Sequence, residues 1–578
     1  MYANRKVRQR EAVADSHTLP ESLHPVTRRV LLARNITSAE SLDLKISRLQ
    51  SPAKLSGIDH AAEILADAVV AGQRILIVGD FDADGATGTA VAVRALELMA
   101  AENVDFRVPN RFEFGYGLSV ALVETLAETP PDVLVTVDSG ISSNDGVSLA
   151  RSMGCKVIVT DHHLPGEVLP DADAIVNPNC PGDQFSSKAL AGVGVVFYLM
   201  GVVRSALRAR NWFTHPRQEP KLARLLDLVA LGTVADLVSL DTNNRILVRQ
   251  GMDRIRHGLC SPGLLALLRL AKRDYRHLVA ADLAFAVAPR LNAAGRMEDM
   301  SVGIRCLLTD DRDEAMTLAG ELDELNHQRR ARQAQMQQDA QDKLKVLMAD
   351  LEQNTLPAGL CLYDAEWHQG IVGLVASRIK DSIHRPVIAF APESESSEML
   401  KGSARSVSGI HIRDALARID ALHPGLITAF GGHAMAAGLT LPGAGLESFT
   451  QAFDEAVTYF LDGRTLENEI LTDGVLSADE INLELAVELR ALGPWGQHFP
   501  EPVFEGRFKV EQQRVVGGAH LKMEVRAEGG GELIDAIAFG RLPEDLPSTD
   551  TVGLVYKLDI NHFRGRKSCQ LMVEQIVE

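Results

Sequence analysis

Short runs typical of buried β-strands recur in the first third of the chain, at 75–78, 133–137 and 156–160. Such runs, with little polar alternation, are expected where both faces of a parallel sheet are covered. Stretches with the apolar spacing of helices follow at 86–101 and 142–153. The order of strand, turn and helix predicts repeated βαβ units, and hence an α/β fold built on a parallel sheet.

The first run leads directly into three aspartates at alternate positions, Asp80, Asp82 and Asp84. In an extended segment, side chains two apart point the same way, so three negative charges would crowd onto one side. A hard divalent cation such as Mg²⁺ or Mn²⁺ binds carboxylate oxygens and neutralises that repulsion. The sequence therefore predicts a metal site at this turn.

The same residues allow two other interpretations. Asp-x-Asp-x-Asp-Gly also opens an EF-hand calcium loop, and Asp/Gly clusters occur in ordinary surface turns. An EF-hand would need an acidic residue where Val91 stands, and a helix rather than a strand before the loop. Both requirements fail, which favours a metal site of another kind over the calcium loop.

The other two strand-like runs also end on polar side chains that can bind metals. The second run ends on Asp138-Ser-Gly, and the third ends on Asp161-His162-His163. A further apolar segment, 228–235, leads to Asp236. Because the carboxyl ends of parallel strands share one edge of a sheet, these turns are expected to converge in space. Each turn alone is weak evidence, and their repetition is what predicts the site.

The rest of the chain changes character twice. Residues 222–350 are mostly helical, and a long connecting helix is predicted over 312–353, with a break near Asn326 left open. A second α/β module is predicted from 356 onward. Residues 467–578 contain short strand-like runs separated by glycines, which predicts a small barrel. The predicted domains are 1–57, a mostly helical lead-in; 58–240, the parallel sheet with its acidic turns; 241–355, helical; 356–466, the second α/β module; and 467–578, the barrel.

Length and composition narrow the class of protein. A chain of 578 residues, with 46% hydrophobic and 24% charged residues, is typical of a soluble protein of several domains. The polar N-terminus has no signal-peptide core and no apolar run approaches the roughly 20 residues of a membrane span, so we expect a cytoplasmic protein without membrane partners. Six scattered cysteines without a Cys-x-x-Cys pair argue against a zinc ribbon or a disulfide scaffold. The net charge of −18 argues against nucleic-acid binding over the whole surface, but not against a local basic groove.

On its motifs, the sequence resembles the DHH phosphoesterase superfamily, and within it the RecJ branch of single-strand-specific 5′→3′ DNA exonucleases. The resemblance covers nearly the whole chain. The motifs that carry it are Gly-Asp-Phe-Asp-Ala-Asp-Gly at 79–85, Val-Asp-Ser-Gly at 137–140, Thr-Asp-His-His at 160–163 and Gly-Thr-Val-Ala-Asp at 232–236, with further matches at 110–118, 288–296, 402–406 and 431–433.

The resemblance implies a centre of two Mn²⁺ or Mg²⁺ ions, bridged by Asp138. The ligands that carry over are Asp82, Asp84, Asp138, His162 and Asp236. Many members of the superfamily have a histidine where Val78 stands here, and Asp80 is the residue that could supply the missing ligand. His163 either binds a metal or contacts the phosphate of the substrate.

The resemblance also implies where the substrate binds. The second α/β module would be the DHH-associated domain and the barrel an OB-fold. The residues implied in holding DNA phosphates are Arg111, Arg290, Arg296, Arg405 and His433. In the barrel, Lys557 and the basic segment 562–567 would suit contacts with a single strand, against the alternative of a solvated hairpin tip.

The implied activity is metal-dependent hydrolysis of single-stranded DNA from its 5′ end to mononucleotides, in DNA repair and recombination. A DHH phosphodiesterase for cyclic dinucleotides or very short RNA is the alternative enzyme, and it would lack the C-terminal barrel. A non-enzymatic DNA-binding scaffold would need a missing ligand. The stretch 85–89 lacks the Lys-Ser/Thr ending of a phosphate-binding loop, so no use of ATP is expected. A single-strand-binding protein and a helicase are the protein partners left open.

Overall fold

The computed structural model describes residues 5–11, 18–110, 113–350, 357–394, 397–464, 466, 468–547, 549–563 and 565–577. The chain divides into two compact units, which are described separately. One unit comprises Arg10–Asn326 and Asp473–Glu578, and the other comprises Met1–Gln9 and His327–Thr472.

The strands of the described residues, in chain order, are β1 Lys6–Gln9, β2 Ile75–Gly79, β3 Val104–Arg107, β4 Val133–Val137, β5 Lys156–Thr160, β6 Ala174–Val176, β7 Leu360–Tyr363, β8 Val387–Pro392, β9 Met399–Arg405, β10 Ala429–Gly432, β11 Ala436–Pro442, β12 Glu469–Thr472, β13 Phe504–Val516, β14 His520–Ala527, β15 Gly530–Phe539, β16 Thr551–Phe563 and β17 Arg566–Val577.

The α-helices of the same residues are α1 Pro25–Leu32, α2 Ile58–Ala71, α3 Ala83–Leu98, α4 Val120–Glu124, α5 Asn144–Ser152, α6 Gly192–Ala209, α7 Leu226–Ala235, α8 Thr242–Arg256, α9 Pro262–Leu270, α10 Ala280–Asp282, α11 Ala288–Met297, α12 Ser301–Leu308, α13 Arg312–Asp350, α14 Val372–Ile383, α15 Ile412–Leu422, α16 Leu446–Leu461 and α17 Leu483–Ala491. A π-helical turn, Leu283–Val287, joins α10 to α11.

The larger unit contains the predicted parallel sheet, in the order β3-β2-β4-β5-β6. Strands β2 and β4 are buried along their whole length, which explains their unbroken apolar sequence. Helices α2, α3, α6 and α7 contribute to one core against this sheet. The strands predicted at 75–78, 133–137 and 156–160 are therefore confirmed.

Helix α3 starts earlier than its predicted position at 86. Asp82 is its N-cap, and Asp84 already lies in its first turn. The expectation of three aspartates along one extended segment is wrong, because the Asp82 carboxylate accepts hydrogen bonds from the backbone of residues 84 and 85 and nucleates the helix there.

Helix α6 has the length and composition that would allow it to cross a membrane, and 56% of it is buried inside the protein. Its packing against α2, α3 and α7 accounts for its apolar sequence, since these helices share the core of the larger unit.

The helical region between the sheet and the second module is confirmed, with α8 to α13 following one another. Helix α13 is continuous from Arg312 to Asp350, so it is not broken near Asn326. The side chain of Asn326 is fully buried, which places this polar residue at a packed position of the helix rather than at a turn.

The C-terminal barrel belongs to the same unit as the parallel sheet. It is closed, in the order β13-β14-β15-β17-β16, with β15 and β17 parallel and the other pairs antiparallel. The small barrel predicted for 467–578 is thus confirmed, and β17 closes it by pairing with both β15 and β16. Its core is built on alternating buried residues such as Phe504, Phe508 and Tyr556.

Two buried arginines make contacts between segments that pack next to the barrel. Arg34 donates to both carboxylate oxygens of Asp473, at 2.7 and 3.0 Å, with both side chains buried. The guanidinium carbon of Arg245 lies 4.0 Å from the centre of the Phe499 ring, and Phe499 stacks on Trp495 at 4.9 Å. These contacts link the N-terminal segment, helix α8 and the approach to the barrel.

The second unit contains a mixed sheet in the order β10-β11-β9-β8-β7. Strands β7 and β8 are parallel, as expected for an α/β module, and the remaining pairs are antiparallel. The predicted second α/β module is thus present, and the motifs at 402–406 and 431–433 lie on and beside the antiparallel strands β9 to β11. Strands β1 and β12 form a separate parallel pair in this unit.

Candidate metal centre

The three acidic turns of the parallel sheet lie side by side. Gly79, Val137 and Thr160, the last residues of β2, β4 and β5, are paired across the sheet in register. The backbone pairing continues one residue further, because the amide of Asp80 donates to Val137 O and the amide of Asp138 donates to Thr160 O, both at 3.1 Å. The sheet therefore brings its acidic residues to one level of one edge.

Three overlapping groups of side chains can each bind a cation. The first is Asp80, Asp82 and Asp138; the second is Asp84, His162 and Asp236; the third is Asp138, His162 and His163. Within each group, one ligand atom per residue lies within 4.8 Å of the others. All seven residues proposed from the sequence for metal binding and catalysis are thus in one cluster, and Asp138 belongs to two of the groups.

His162 lies at the middle of the cluster. Its Nε2 atom is 3.0 Å from Oδ1 of Asp138, 3.5 Å from Oδ2 of Asp236 and 4.0 Å from Oδ2 of Asp84. These residues come from β4, α7, α3 and the turn after β5, so the site depends on the tertiary fold.

Asp138 has an unusual backbone and an unsatisfied side-chain atom. Its φ of 60° lies in the left-handed region, which among non-glycine residues favours Asn and Asp. Its Oδ1 atom is buried and accepts no hydrogen bond among the described residues. A buried carboxylate oxygen without a hydrogen bond is costly, and a cation beside it, together with His162 Nε2 at 3.0 Å, would offset this cost.

Asp84 is held by the N-terminus of helix α6. Its two carboxylate oxygens accept hydrogen bonds from the backbone amides of Gly192, at 2.7 Å, and Val193, at 3.0 Å. A Cβ atom on Gly192 would lie 2.7 Å from the Asp138 side chain, so only glycine lets this helix end approach so closely. The partial positive charge of a helix N-terminus stabilises the carboxylate.

Burial and mutual repulsion oppose the ionisation of these carboxyl groups. Burial, followed by the charge of Asp82, raises the pKa of Asp84 to about 7. Burial also raises the pKa of Asp138 and Asp236, and in both the charge of Asp84 adds to the rise. The cluster therefore carries more negative charge than the protein alone compensates, as expected for a cation-binding site.

His163 is held by Asp161. Its Nδ1 atom lies 2.7 Å from Oδ1 of Asp161. Burial works against both charged forms, but the hydrogen bond and ion pair between the two side chains outweigh it, lowering the pKa of Asp161 and raising that of His163 to about 9. The protonated form of His163 suits contact with a phosphate beside the carboxylates, whereas a ligand role would need its neutral form.

An aromatic pair beside the cluster was not found from the sequence. The Tyr116 ring lies edge-on to Phe81 at 5.9 Å and to His163 at 6.2 Å. Its hydroxyl donates to the backbone oxygen of Asp138 at 3.3 Å. Tyr116 lies within the motif at 110–118, but nothing in the local pattern indicated a contact with a strand end 22 residues away.

Helix α11 supports the turn that carries Asp82. Oδ1 of Asn292 accepts a hydrogen bond from the backbone amide of Ala83 at 2.8 Å. A Cβ atom on Gly295 would lie 1.8 Å from the backbone oxygen of Phe81, so α11 and this turn are in close backbone contact. Both residues lie within the motif at 288–296, where the local sequence did not indicate these contacts.

The arginines proposed to bind DNA have different surroundings. Arg290 is only 8% exposed and donates from Nε to Asp323 at 2.8 Å, so a phosphate would have to share or replace this ion pair. Arg296 is half-buried on the same helix, near its C-terminal end. Arg111 lies outside the described residues.

Arg405 and His433 lie in the other unit, on the mixed sheet. The Arg405 guanidinium donates to Ser403 Oγ at 3.1 Å and to Ala404 O at 2.8 Å, and burial lowers its pKa. A Cβ atom on Gly373 would lie 2.8 Å from its Nη2 atom, which places the guanidinium against the first turn of α14. His433 lies in the turn between β10 and β11 and donates from its backbone to Ala436.

The barrel residues proposed for single-strand contacts are partly engaged within the protein. Lys557 Nζ lies 3.2 Å from Glu501 and 3.0 Å from Glu574. His562 stacks on His277 with ring centres 4.1 Å apart. Arg566 and Lys567, at the start of β17, are exposed.

The donor set fits a hard divalent cation. Five aspartates supply oxygen and two histidines supply imidazole nitrogen, a combination that suits Mn²⁺ or Mg²⁺. The raised carboxyl pKa values and the unsatisfied buried oxygen of Asp138 point the same way.

A parallel sheet with these clustered aspartates and histidines defines a phosphoesterase of the DHH class. Family comparison agrees with this: residues 74–233 match the DHH family, N-terminal domain, residues 344–459 match the DHHA1 domain, and residues 472–575 match the RecJ OB domain. The chain is 52% identical to the single-stranded-DNA-specific exonuclease RecJ of Salmonella typhimurium, over 100% of both chains. The chain therefore belongs to the RecJ family of single-stranded-DNA-specific exonucleases.

More distant relatives extend the comparison. The chain is 33% identical to RecJ of Bacillus subtilis, over 96% of this chain and 69% of the relative. The crystal structure of RecJ from Thermus thermophilus in complex with Mn²⁺ is similar, with a TM-score of 0.78 at 29% identity, covering 96% of this chain and 76% of that one. The Mg²⁺ complex of the same protein matches with a TM-score of 0.72 at 28% identity, covering 96% of this chain and 75% of that one. The resemblance seen in the sequence and the α/β fold with a C-terminal barrel are thus confirmed.

Proposed function

We propose that this protein is an exonuclease that degrades single-stranded DNA from its 5′ end to mononucleotides. The observation that carries the proposal is that the strand ends at Gly79, Val137 and Thr160 are paired in register. This pairing brings Asp80, Asp138 and the turn at 161–163 to one edge of the sheet. The names of the full-length relatives support the substrate and the reaction.

Two Mn²⁺ or Mg²⁺ ions would be held by the cluster. Asp80, Asp82 and Asp138 would hold one ion, and Asp84, Asp138, His162 and Asp236 the other, with Asp138 shared. Asp80 thereby takes the place of the histidine that many relatives have where Val78 stands. When bound, such a pair of ions activates water and stabilises the charge on the leaving oxygen of a phosphodiester.

Neighbouring residues orient the side chains of this site and offset part of its negative charge. The α6 N-terminus holds the Asp84 carboxylate in place, and Asp161 holds the His163 ring. His163 carries a positive charge because Asp161 raises its pKa, so it attracts the scissile phosphate and offsets the surrounding carboxylates. The nucleophile is water, and no protein side chain forms a covalent intermediate.

Substrate contacts are proposed from the chemistry of the remaining groups. Arg111, Arg290, Arg296, Arg405 and His433 would bind DNA phosphates, with residues 356–466 acting as the DHH-associated domain. The barrel at 467–578 would bind the strand further from its 5′ end. The proposed division of the rest is a lead-in at 1–57, a catalytic domain at 58–240 and a helical connector at 241–355.

The cellular setting follows from this activity. We place the protein in the cytoplasm, serving DNA repair and recombination, where single strands are exposed by other enzymes. A helicase that generates such strands and a single-strand-binding protein that coats them are the partners we propose.

The experiment uses matched oligonucleotides labelled at the 5′ end, single-stranded or duplex, together with a cyclic dinucleotide, each with Mn²⁺ or EDTA. Release of labelled mononucleotide from the single strand, abolished by EDTA and absent from the blunt duplex, is the expected result. Hydrolysis of the cyclic dinucleotide with survival of the long strand would instead indicate a small-substrate phosphodiesterase.

A further inference from the structure

The backbone of His162 and His163 continues past the end of β5, beyond the registers that pair β5 with β4 and β6. Both backbone amides donate instead to Oδ1 of Asp161, at 2.7 and 3.0 Å. Asp161 is anchored in turn, because its Oδ2 accepts a hydrogen bond from the amide of Ile141 at 3.0 Å. The N–H groups of the two histidines are thus fixed from one side.

The two carbonyl oxygens are fixed by a different element. Strand β6 ends at Val176, and the turn after it carries Asn177 and Asn179. Nδ2 of Asn177 donates to His163 O at 2.9 Å, and Nδ2 of Asn179 donates to His162 O at 2.6 Å. Every backbone polar group of the two histidines is therefore bonded to a side chain.

The two asparagines also brace each other. The backbone N–H of Asn179 donates to the side-chain Oδ1 of Asn177 at 2.8 Å, and Asn177 is only 1% exposed. Nδ2 of Asn179 donates in addition to Lys188 O at 3.2 Å, on the segment that leads into α6. That helix holds Asp84, so one stretch of chain, 177–193, contacts the candidate metal centre at both ends.

We propose that Asn177 and Asn179 are positioning residues that set the orientation of His162 and His163 in the metal centre. This inference rests on the proposed function for its catalytic consequence, but not for its effect on metal binding. Neither side chain reaches the carboxylate cluster itself; each acts through a histidine carbonyl. Loss of such a supporting contact typically weakens metal affinity or activity by about 10- to 100-fold.

The test is truncation of the side-chain amide in Asn179→Ala and Asn177→Ala. Asn103→Ala is the matched control. Nδ2 of Asn103 also donates to a backbone oxygen, Gly72 O, at 2.8 Å, but this contact lies away from the metal centre. Mn²⁺ affinity is measured by calorimetry on each full-length variant, and kcat and KM are measured on a 5′-labelled single strand. Thermal unfolding of the metal-free proteins checks folding.

We expect both variants to bind Mn²⁺ at least about 10-fold more weakly and to have a lower kcat, while their KM for DNA stays unchanged. In the control, Mn²⁺ affinity, kcat and KM should all equal those of the wild type. Wild-type Mn²⁺ affinity and kcat in Asn179→Ala, a rise in KM alone, or a loss confined to the melting temperature would each overturn the proposal. If buried Asn177→Ala does not fold, the half-buried Asn179 decides. A wild-type protein that binds Mn²⁺ but leaves DNA intact would contradict the exonuclease function and leave the calorimetric test valid.

Discussion

Oδ1 of Asp138 lies 3.0 Å from Nε2 of His162, although the two residues follow different strands of the sheet. The contact arises because β4 and β5 are parallel and end in register. It joins the two groups of carboxylates on either side, which is why Asp138 is the residue proposed to contact both ions.

Metal binding should stabilise the folded protein. The buried carboxylates repel one another in the metal-free state, and a cation that binds only the folded form shifts the equilibrium toward it. Mn²⁺ at 100 times its dissociation constant should add about 2.7 kcal/mol to the free energy of unfolding for each ion that binds independently. Thermal unfolding with Mn²⁺ and with EDTA measures this, and equal melting temperatures would contradict a site in this cluster.

Removing one charge should separate stability from metal binding. Asp80→Asn relieves part of the repulsion around Asp138, so the metal-free variant should melt at a higher temperature than the wild type while binding Mn²⁺ less tightly. Asp145→Asn, at an exposed position in the first turn of α5, is the control: it should leave Mn²⁺ binding unchanged and should not raise the melting temperature, because a carboxylate there stabilises the helix N-terminus. A metal-free Asp80→Asn protein no more stable than the wild type would argue against repulsion within the cluster.

Asp138→Asn should abolish hydrolysis without disturbing the backbone. Asn tolerates the left-handed φ of this position, so the turn is preserved while the shared carboxylate is lost. We expect activity on single-stranded DNA to fall by at least about 100-fold, more than the loss of a supporting contact. Circular dichroism verifies the fold, and a folded variant with more than a tenth of wild-type activity would rule out the bridging role.

Two glycines of helix α6 provide a matched comparison. Gly192→Ala places a methyl group 2.7 Å from the Asp138 side chain, whereas Gly201→Ala meets no atom within 4 Å. The first should cost about 1–3 kcal/mol of stability and weaken Mn²⁺ binding, because α6 must shift away from Asp84. The second should be neutral or stabilise the helix by about 0.5–1 kcal/mol. Similar behaviour of the two variants in urea unfolding and calorimetry would refute the close approach.

The buried Arg34–Asp473 pair should contribute strongly to the attachment of the barrel. Arg34→Met leaves the buried Asp473 carboxylate with only Arg10, whose Nε lies 3.8 Å from Oδ1, at a cost of up to about 3–5 kcal/mol. Arg34→Met combined with Asp473→Leu should cost less than the sum of the single changes, since both members of the pair are then removed and only Arg10 keeps a charge there. Additive losses in urea unfolding would mean that the pair is not coupled.

The local sequence predicted those features of the site that depend on one strand and the turn after it. The strands leading to Asp80, Asp138 and His162 have unbroken apolar runs, and parallel pairing then brings their ends together. The hydrogen bonds from Gly192 and Val193 to Asp84 could not be predicted, because they join residues more than 100 positions apart.

Two features of the structure could not be inferred from the local sequence pattern. The alternation of the three aspartates suggested an extended segment, but the capping capacity of Asp82 starts a helix there. For Arg290, nothing in the local pattern indicated that α13 would supply Asp323 as its ion-pair partner. Side-chain capping and long-range ion pairs are decided by tertiary structure, which one sequence does not display.

The central claim is that this cluster is a two-metal centre shared through Asp138. Anomalous diffraction from crystals grown with Mn²⁺ tests it most directly. We predict two peaks about 3.5–4 Å apart, one beside Asp80 and Asp82 and the other beside His162 and Asp236, with Asp138 contacting both. A single peak, or two peaks that do not share Asp138, would contradict the account.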